Sequence, residues 1–141
     1  MKSHLKRLAL GLSLATTALC AYAGADGEIE PAPVYDEVIN QISMREAEML
    51  HEEGVQFYDV NEVELWAKGF IPGAIFFNVN DWKKLLPEDK STTIVFYCVD
   101  PLCTSSEMAA REVMKLGYTD VRQMPEGITG WRRSNRPIEL P

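Results

Sequence analysis

Cys98 and Cys103 stand five positions apart in the second half of the chain, with Val99, Asp100, Pro101 and Leu102 between them. The thiolate is the nucleophilic form of cysteine, so this spacing offers two chemistries: nucleophilic attack by one thiol, or exchange between thiol pair and disulfide. A bridge over four intervening residues closes too small a loop to brace a fold. The pair therefore reads as chemical rather than structural. Asp100 adds a negative charge to the loop and Pro101 removes one backbone donor, which leaves the other amides from Val99 to Thr104 as a cradle for an anion. The competing reading of Cys98 is a small apolar core residue at a strand end. For Cys103, a buried helix-start residue and a resolving thiol are both open. Two cysteines and His51 on a distant helix make too few ligands for zinc, so no metal or cofactor is expected, and His51 is read as a solvated helix residue.

Cys98 has to be positioned by what flanks it. Thr92–Tyr97 is a β-branched and aromatic run that predicts a buried strand, and Thr104 with Glu107 three residues on predicts a capping box opening a helix that Gly117 stops. The end of a strand entering a helix is where open α/β sheets place their ligands, and the helix-start amides favour negative charge there. Upstream, Ser43 and Glu46 predict another capped helix, lasting to Gly54, and Val55–Val60 a strand with Asp59 at its end. Glu62–Lys68 reads as a short helix, Ile71-Pro72-Gly73 as a turn, Ala74–Val79 as a strand and Trp82–Leu86 as a helical turn. Beyond the central helix, whose expected inner face is Met108, Ala109, Val113, Met114 and Leu116, come a strand over Val121–Met124 and a closing helix over Gly127–Arg133 with Trp131 inward. Unbroken apolar strands alternating with helices predict an α/β fold with a buried parallel sheet.

The N-terminus has the pattern of an export signal. Lys2, Lys6 and Arg7 precede the uncharged stretch Leu8–Leu19, too short to span a bilayer, and Ala21-Tyr22-Ala23 is a cleavage site. Residues 1–23 are thus the expected signal peptide, 24–41 an acidic linker with the first strand, and 42–141 one domain in the periplasm. Cleavage takes three of the 14 basic residues, leaving 11 against 21 acidic ones and a net charge near −10. Such a surface excludes nucleic acid and is repelled by anionic lipid, so neither is an expected partner. Small molecules, or a periplasmic protein, are.

Phe57-Tyr58-Asp59-Val60, Gly69-Phe70-Ile71-Pro72-Gly73-Ala74, Phe96-Tyr97-Cys98, Gly117-Tyr118 with Val121, Glu126-Gly127 and Trp131 occur in the order seen in rhodanese domains. Over roughly Ile42–Glu139 the chain resembles that family. The resemblance implies a parallel sheet of about five strands flanked by helices, with Cys98 as the catalytic nucleophile: it accepts a sulfane sulfur from a small donor as a persulfide and passes it to a thiol acceptor. Asn61 stands where the family usually has Arg, and Phe70 where it has His. The loop lacks the usual Arg or Lys, and with Asp100 present thiosulfate is expected to be a poor donor. Thr104 occupies the place where phosphatase relatives have a phosphate-clamping Arg, which argues against phosphoryl chemistry. The two-cysteine loop and Pro125–Trp131 are partly similar to exported rhodanese-like proteins with a Cys-x-x-Cys-Trp motif. Two rival functions stay open: a dithiol/disulfide redox protein using Cys98 and Cys103, and a non-catalytic binding module.

Overall fold

The computed structural model describes residues 38–141. The signal peptide expected over 1–23, and the linker up to residue 37, lie outside them. The described chain runs β1 (Asn40–Gln41), α1 (Met44–Glu52), β2 (Gln56–Asp59), α2 (Val63–Trp66), β3 (Ile75–Phe76), a 3-10 turn (Trp82–Leu85), β4 (Ile94–Tyr97), α3 (Ser105–Lys115), β5 (Val121–Met124) and α4 (Gly127–Arg133). All five strands are parallel, in the order β1-β5-β4-β2-β3. This is the α/β architecture that unbroken apolar strands require, because a parallel sheet is covered on both faces.

Alternation along the strands divides the core in two. Phe57, Val95 and Tyr97 point to the face covered by Ala47 and Leu50 of α1 and Ile128 and Trp131 of α4. Tyr58, Ile94 and Phe96 point to the other, against Ala110 and Val113 of α3. Since β4 is buried at every position, the residue following it is held by walls on both sides.

Several local expectations change in the folded chain. The Ser43 hydroxyl accepts from the Glu46 amide at 3.3 Å, but the Glu46 carboxylate turns away to Arg122 at 3.0 Å. Thr104 makes no side-chain cap at all, and Glu107 pairs with Arg111 one turn on. Met108 is exposed, whereas Val113 of the expected inner face is buried together with Ser106 and Ala110 at helical spacing, and Ala109 and Met114 pack against the core partly buried. A polar residue is tolerated in that stripe because Ser106 Oγ accepts from Gln123 Nε2 at 3.0 Å. His51 is not a solvated residue: it is half-buried, bonded through Nε2 to the Pro72 carbonyl at 2.8 Å and set edge-on to Phe57 and Trp131.

Candidate active site

The chain leaves β2 toward β3 on one side and leaves β4 toward β5 on the other, so the sheet order reverses between β2 and β4. A crevice opens at the carboxyl ends of two such strands, and ligands of open α/β sheets bind there. Cys98 occupies that point, directly after Tyr97, with only 1 % of its surface exposed. Asp59 ends the neighbouring strand. It is fully buried, and one carboxylate oxygen accepts from the Asn61 amide at 2.8 Å, which turns the chain away from the crevice. Burial holds its carboxyl above the ordinary range. The adjacent Tyr97 hydroxyl is pushed up as well, first by burial and then by the Asp59 charge, and accepts from the Ile71 amide at 3.2 Å.

Cys98 and Cys103 are joined in a disulfide, with Cα atoms 6.3 Å apart. The loop between them is shaped by Asp100, whose carboxylate accepts from the Leu102 amide at 2.9 Å and whose carbonyl accepts from the Cys103 amide at 3.1 Å. Two amides of the expected cradle over Val99–Thr104 therefore serve the loop's own turn in this oxidised form. Of the two cysteines Cys103 is the more exposed.

The start of α4 carries the loop. Ile128 and Thr129 donate their amides to the carbonyls of Cys98 and Val99 at 2.9 and 3.0 Å. Gly127 has φ +60°, and a Cβ there would lie 2.5 Å from the Cys98 carbonyl oxygen. Glycine is required both by its backbone conformation and by this approach. Alongside, the outer face of the loop and one face of α4 enclose a groove of about 650 Å³, bounded by Asp100, Pro101 and Leu102 on one side and Glu126, Thr129 and Arg133 on the other. Glu126 and Arg133 were not among the residues expected from the sequence. Their seven-residue spacing, with Gly130 between, marks one helical face, but nothing local shows that this face meets the loop.

A family model for the rhodanese-like domain matches residues 46–134. The chain belongs to the rhodanese-like family. Solved structures with the same fold include the BH2092 protein of Bacillus halodurans, at 24% identity and a TM-score of 0.62 over 72% of this chain and 77% of that one. The rhodanese-like domain of the Alr3790 protein of Anabaena sp. matches at 21% identity and a TM-score of 0.60, over 74% and 81%. A rhodanese-related protein of Thermoplasma volcanium matches at 21% and 0.58, over 72% and 99%. No curated protein matches the sequence. In this rhodanese-like domain the nucleophile expected from the resemblance, Cys98, and the candidate resolving thiol, Cys103, are brought together. Thr104, where phosphatase relatives carry Arg, stands at the start of α3.

Proposed function

We propose that this rhodanese-like domain is an exported sulfurtransferase in which Cys98 accepts sulfane sulfur and Cys103 resolves the persulfide. The observation that carries this reading is the pairing of both sulfurs at the switch point of the sheet. In the reduced protein the Cys98 thiolate attacks the outer sulfur of a persulfide donor, forming Cys98–S–SH and releasing the donor thiolate. An acceptor thiolate then attacks that outer sulfur, regenerates Cys98 and leaves as a persulfide. Without an acceptor, Cys103 attacks the inner sulfur of Cys98–S–SH; hydrosulfide departs, the sulfane sulfur is reduced by two electrons, and the cysteines are oxidised to the disulfide. Two external thiols restore the dithiol and become a disulfide themselves. The bonded form described above is then the resting oxidised state of the cycle. It also supports a dithiol/disulfide exchange protein as the second reading, since exchange needs only the final step and its reverse.

Reduced protein mixed with a persulfide donor separates these readings. Sulfur transfer predicts that Cys103→Ser accumulates a one-sulfur adduct by intact mass, whereas the wild type releases sulfide and closes its disulfide. An exchange protein that never takes up sulfur shows no one-sulfur adduct in Cys103→Ser. Export is checked on protein recovered from the periplasm, whose mass is expected to begin at Gly24.

The acidic loop gives a second expectation for the same activity. Asp100→Asn keeps the oxygen that accepts from the Leu102 amide and removes the charge. Turnover of thiosulfate should rise by about two- to fivefold, the range of a screened surface charge, and the gain should shrink with added salt. Unchanged turnover in Asp100→Asn would show that the loop charge does not limit the donor.

A further inference from the structure

We propose that a second groove, on the α3 side of the sheet's carboxyl edge, docks a protein partner through one bulky apolar side chain flanked by basic residues. It needs neither cysteine and stands apart from the sulfur-transfer reading. Phe77 and Val79 beyond β3, Trp82 of the 3-10 turn, and Met108 and Ala109 of α3 enclose about 280 Å³. Phe77 is buried and meets Trp82 at 5.2 Å between ring centroids, so part of the wall is aromatic and fixed. Such a wall packs another ring offset or edge-on. The volume falls just short of the small-molecule range, roughly 300–1,000 Å³, and suits one large side chain better than a whole ligand. Val60, also in the lining, donates its amide to the Tyr97 carbonyl at 3.0 Å, next to Cys98. A partner seated here lies beside the strand end that carries the cysteine.

Apolar surface continues past the cavity. Met108 is 60 % exposed and Val79 39 %, and Leu102, three residues before Ser105 of the lining, is 91 % exposed. A small molecule in the cavity would leave these side chains in water, whereas a protein surface covers them. Charge sets the sign of that protein. Glu112 lines the groove, and among the described residues no basic side chain does. One Glu112 oxygen meets Lys115 at 2.7 Å, in a pair exposed on both sides that holds little energy. Glu62 and Asp100, on the loops that follow β2 and β4, make no ion pair among the described residues. Of the nearby cations, Arg111 is held by Glu107 and Lys84 by Asp81, and Lys83 rests 5.5 Å over the Trp82 ring. The edge is thus acidic around an apolar centre, and a basic partner with an apolar anchor complements both.

The test uses short sulfur-free peptides as probes of the partner's anchor, so that docking is read apart from sulfur transfer. The protein is titrated with acetyl-Lys-Phe-Lys-amide, acetyl-Glu-Phe-Glu-amide, acetyl-Lys-Ser-Lys-amide and phenethylamine, following backbone amide shifts of Val79, Met108 and Glu112. The Lys-Phe-Lys peptide is expected to bind about fivefold more tightly than Glu-Phe-Glu, the ratio that one exposed charge pair supports, and about tenfold more tightly than Lys-Ser-Lys, which has no ring to bury. Met108→Gln should weaken it about threefold by shrinking the apolar wall, and Glu112→Gln should narrow its lead over Glu-Phe-Glu. Both residues are exposed, so both variants should unfold in urea as the wild type does. Equal affinity for the basic and acidic peptides, equal affinity for Lys-Ser-Lys, no saturable shift, or a lead untouched by Glu112→Gln would overturn the docking site. Phenethylamine binding as tightly as Lys-Phe-Lys would overturn it too, because the groove would then be a site for a small organic cation.

Discussion

Replacing Cys98 by Ser is expected to abolish sulfur uptake while leaving the fold intact. The side chain is buried at the end of a fully buried strand, and serine is close to it in size. Its carbonyl still accepts the Ile128 amide that ties the loop to α4. What is lost is the atom that attacks. A hydroxyl held far below its pKa at neutral pH is a negligible nucleophile toward sulfur, and no third cysteine exists in residues 24–141 to substitute for it. After reduction and incubation with a persulfide donor, the wild type should form sulfide or transfer sulfur to an added thiol, and Cys98→Ser should do neither. Its remaining thiol, Cys103, should react fully with an alkylating agent. Equal sulfur gain in both proteins would move the nucleophile to Cys103 and remove Cys98 from the chemistry.

The second large effect is expected at Gly127, which touches no substrate. Alanine at φ +60° costs about 1–2 kcal/mol from the backbone conformation alone. The new Cβ would also stand 2.5 Å from the carbonyl oxygen of Cys98 and 2.6 Å from the carbonyl carbon of Val99. Both neighbours are main chain and cannot rotate aside, so the loop must lift away from α4. That adds about 1–3 kcal/mol of overpacking and weakens the bonds from the Ile128 and Thr129 amides. Gly127→Ala should therefore lose about 2–5 kcal/mol in urea unfolding, and its sulfur-transfer rate should fall about a hundredfold, as a displacement of about 1 Å in a reacting group produces. Gly54→Ala is the control: its φ is also positive, at +80°, but a Cβ there meets nothing within 4 Å. It should cost the backbone part only and leave the rate unchanged. Wild-type stability and rate in Gly127→Ala would show that the loop does not depend on its seat against α4.

Much of this protein is written in local patterns. Four apolar runs, the turn at Pro72-Gly73 and the stop at Gly117 placed the longer strands and helices, because strand burial on both faces and glycine's freedom at positive φ depend on few neighbours. Cys98 was legible for the same reason: the end of a buried strand before a helix is a position in the chain as much as in space. Within residues 24–141 Cys103 is also the one other cysteine beside Cys98. Polar partners were another matter. Glu46 had Ser43 within reach yet pairs with Arg122, 76 positions away, and Glu107 chose Arg111 over the cap at Thr104. His51 and Met108 exchanged the expected surroundings, one entering the core edge and the other facing out. Such choices differ by about 1 kcal/mol, so they are settled by whichever groups packing brings near. Only the tertiary structure could join the two cysteines, assign the Asp100 loop its internal bonds, and set Glu126 and Arg133 against that loop, because each depends on α4 returning to the end of β4 after the chain has passed through α3 and β5.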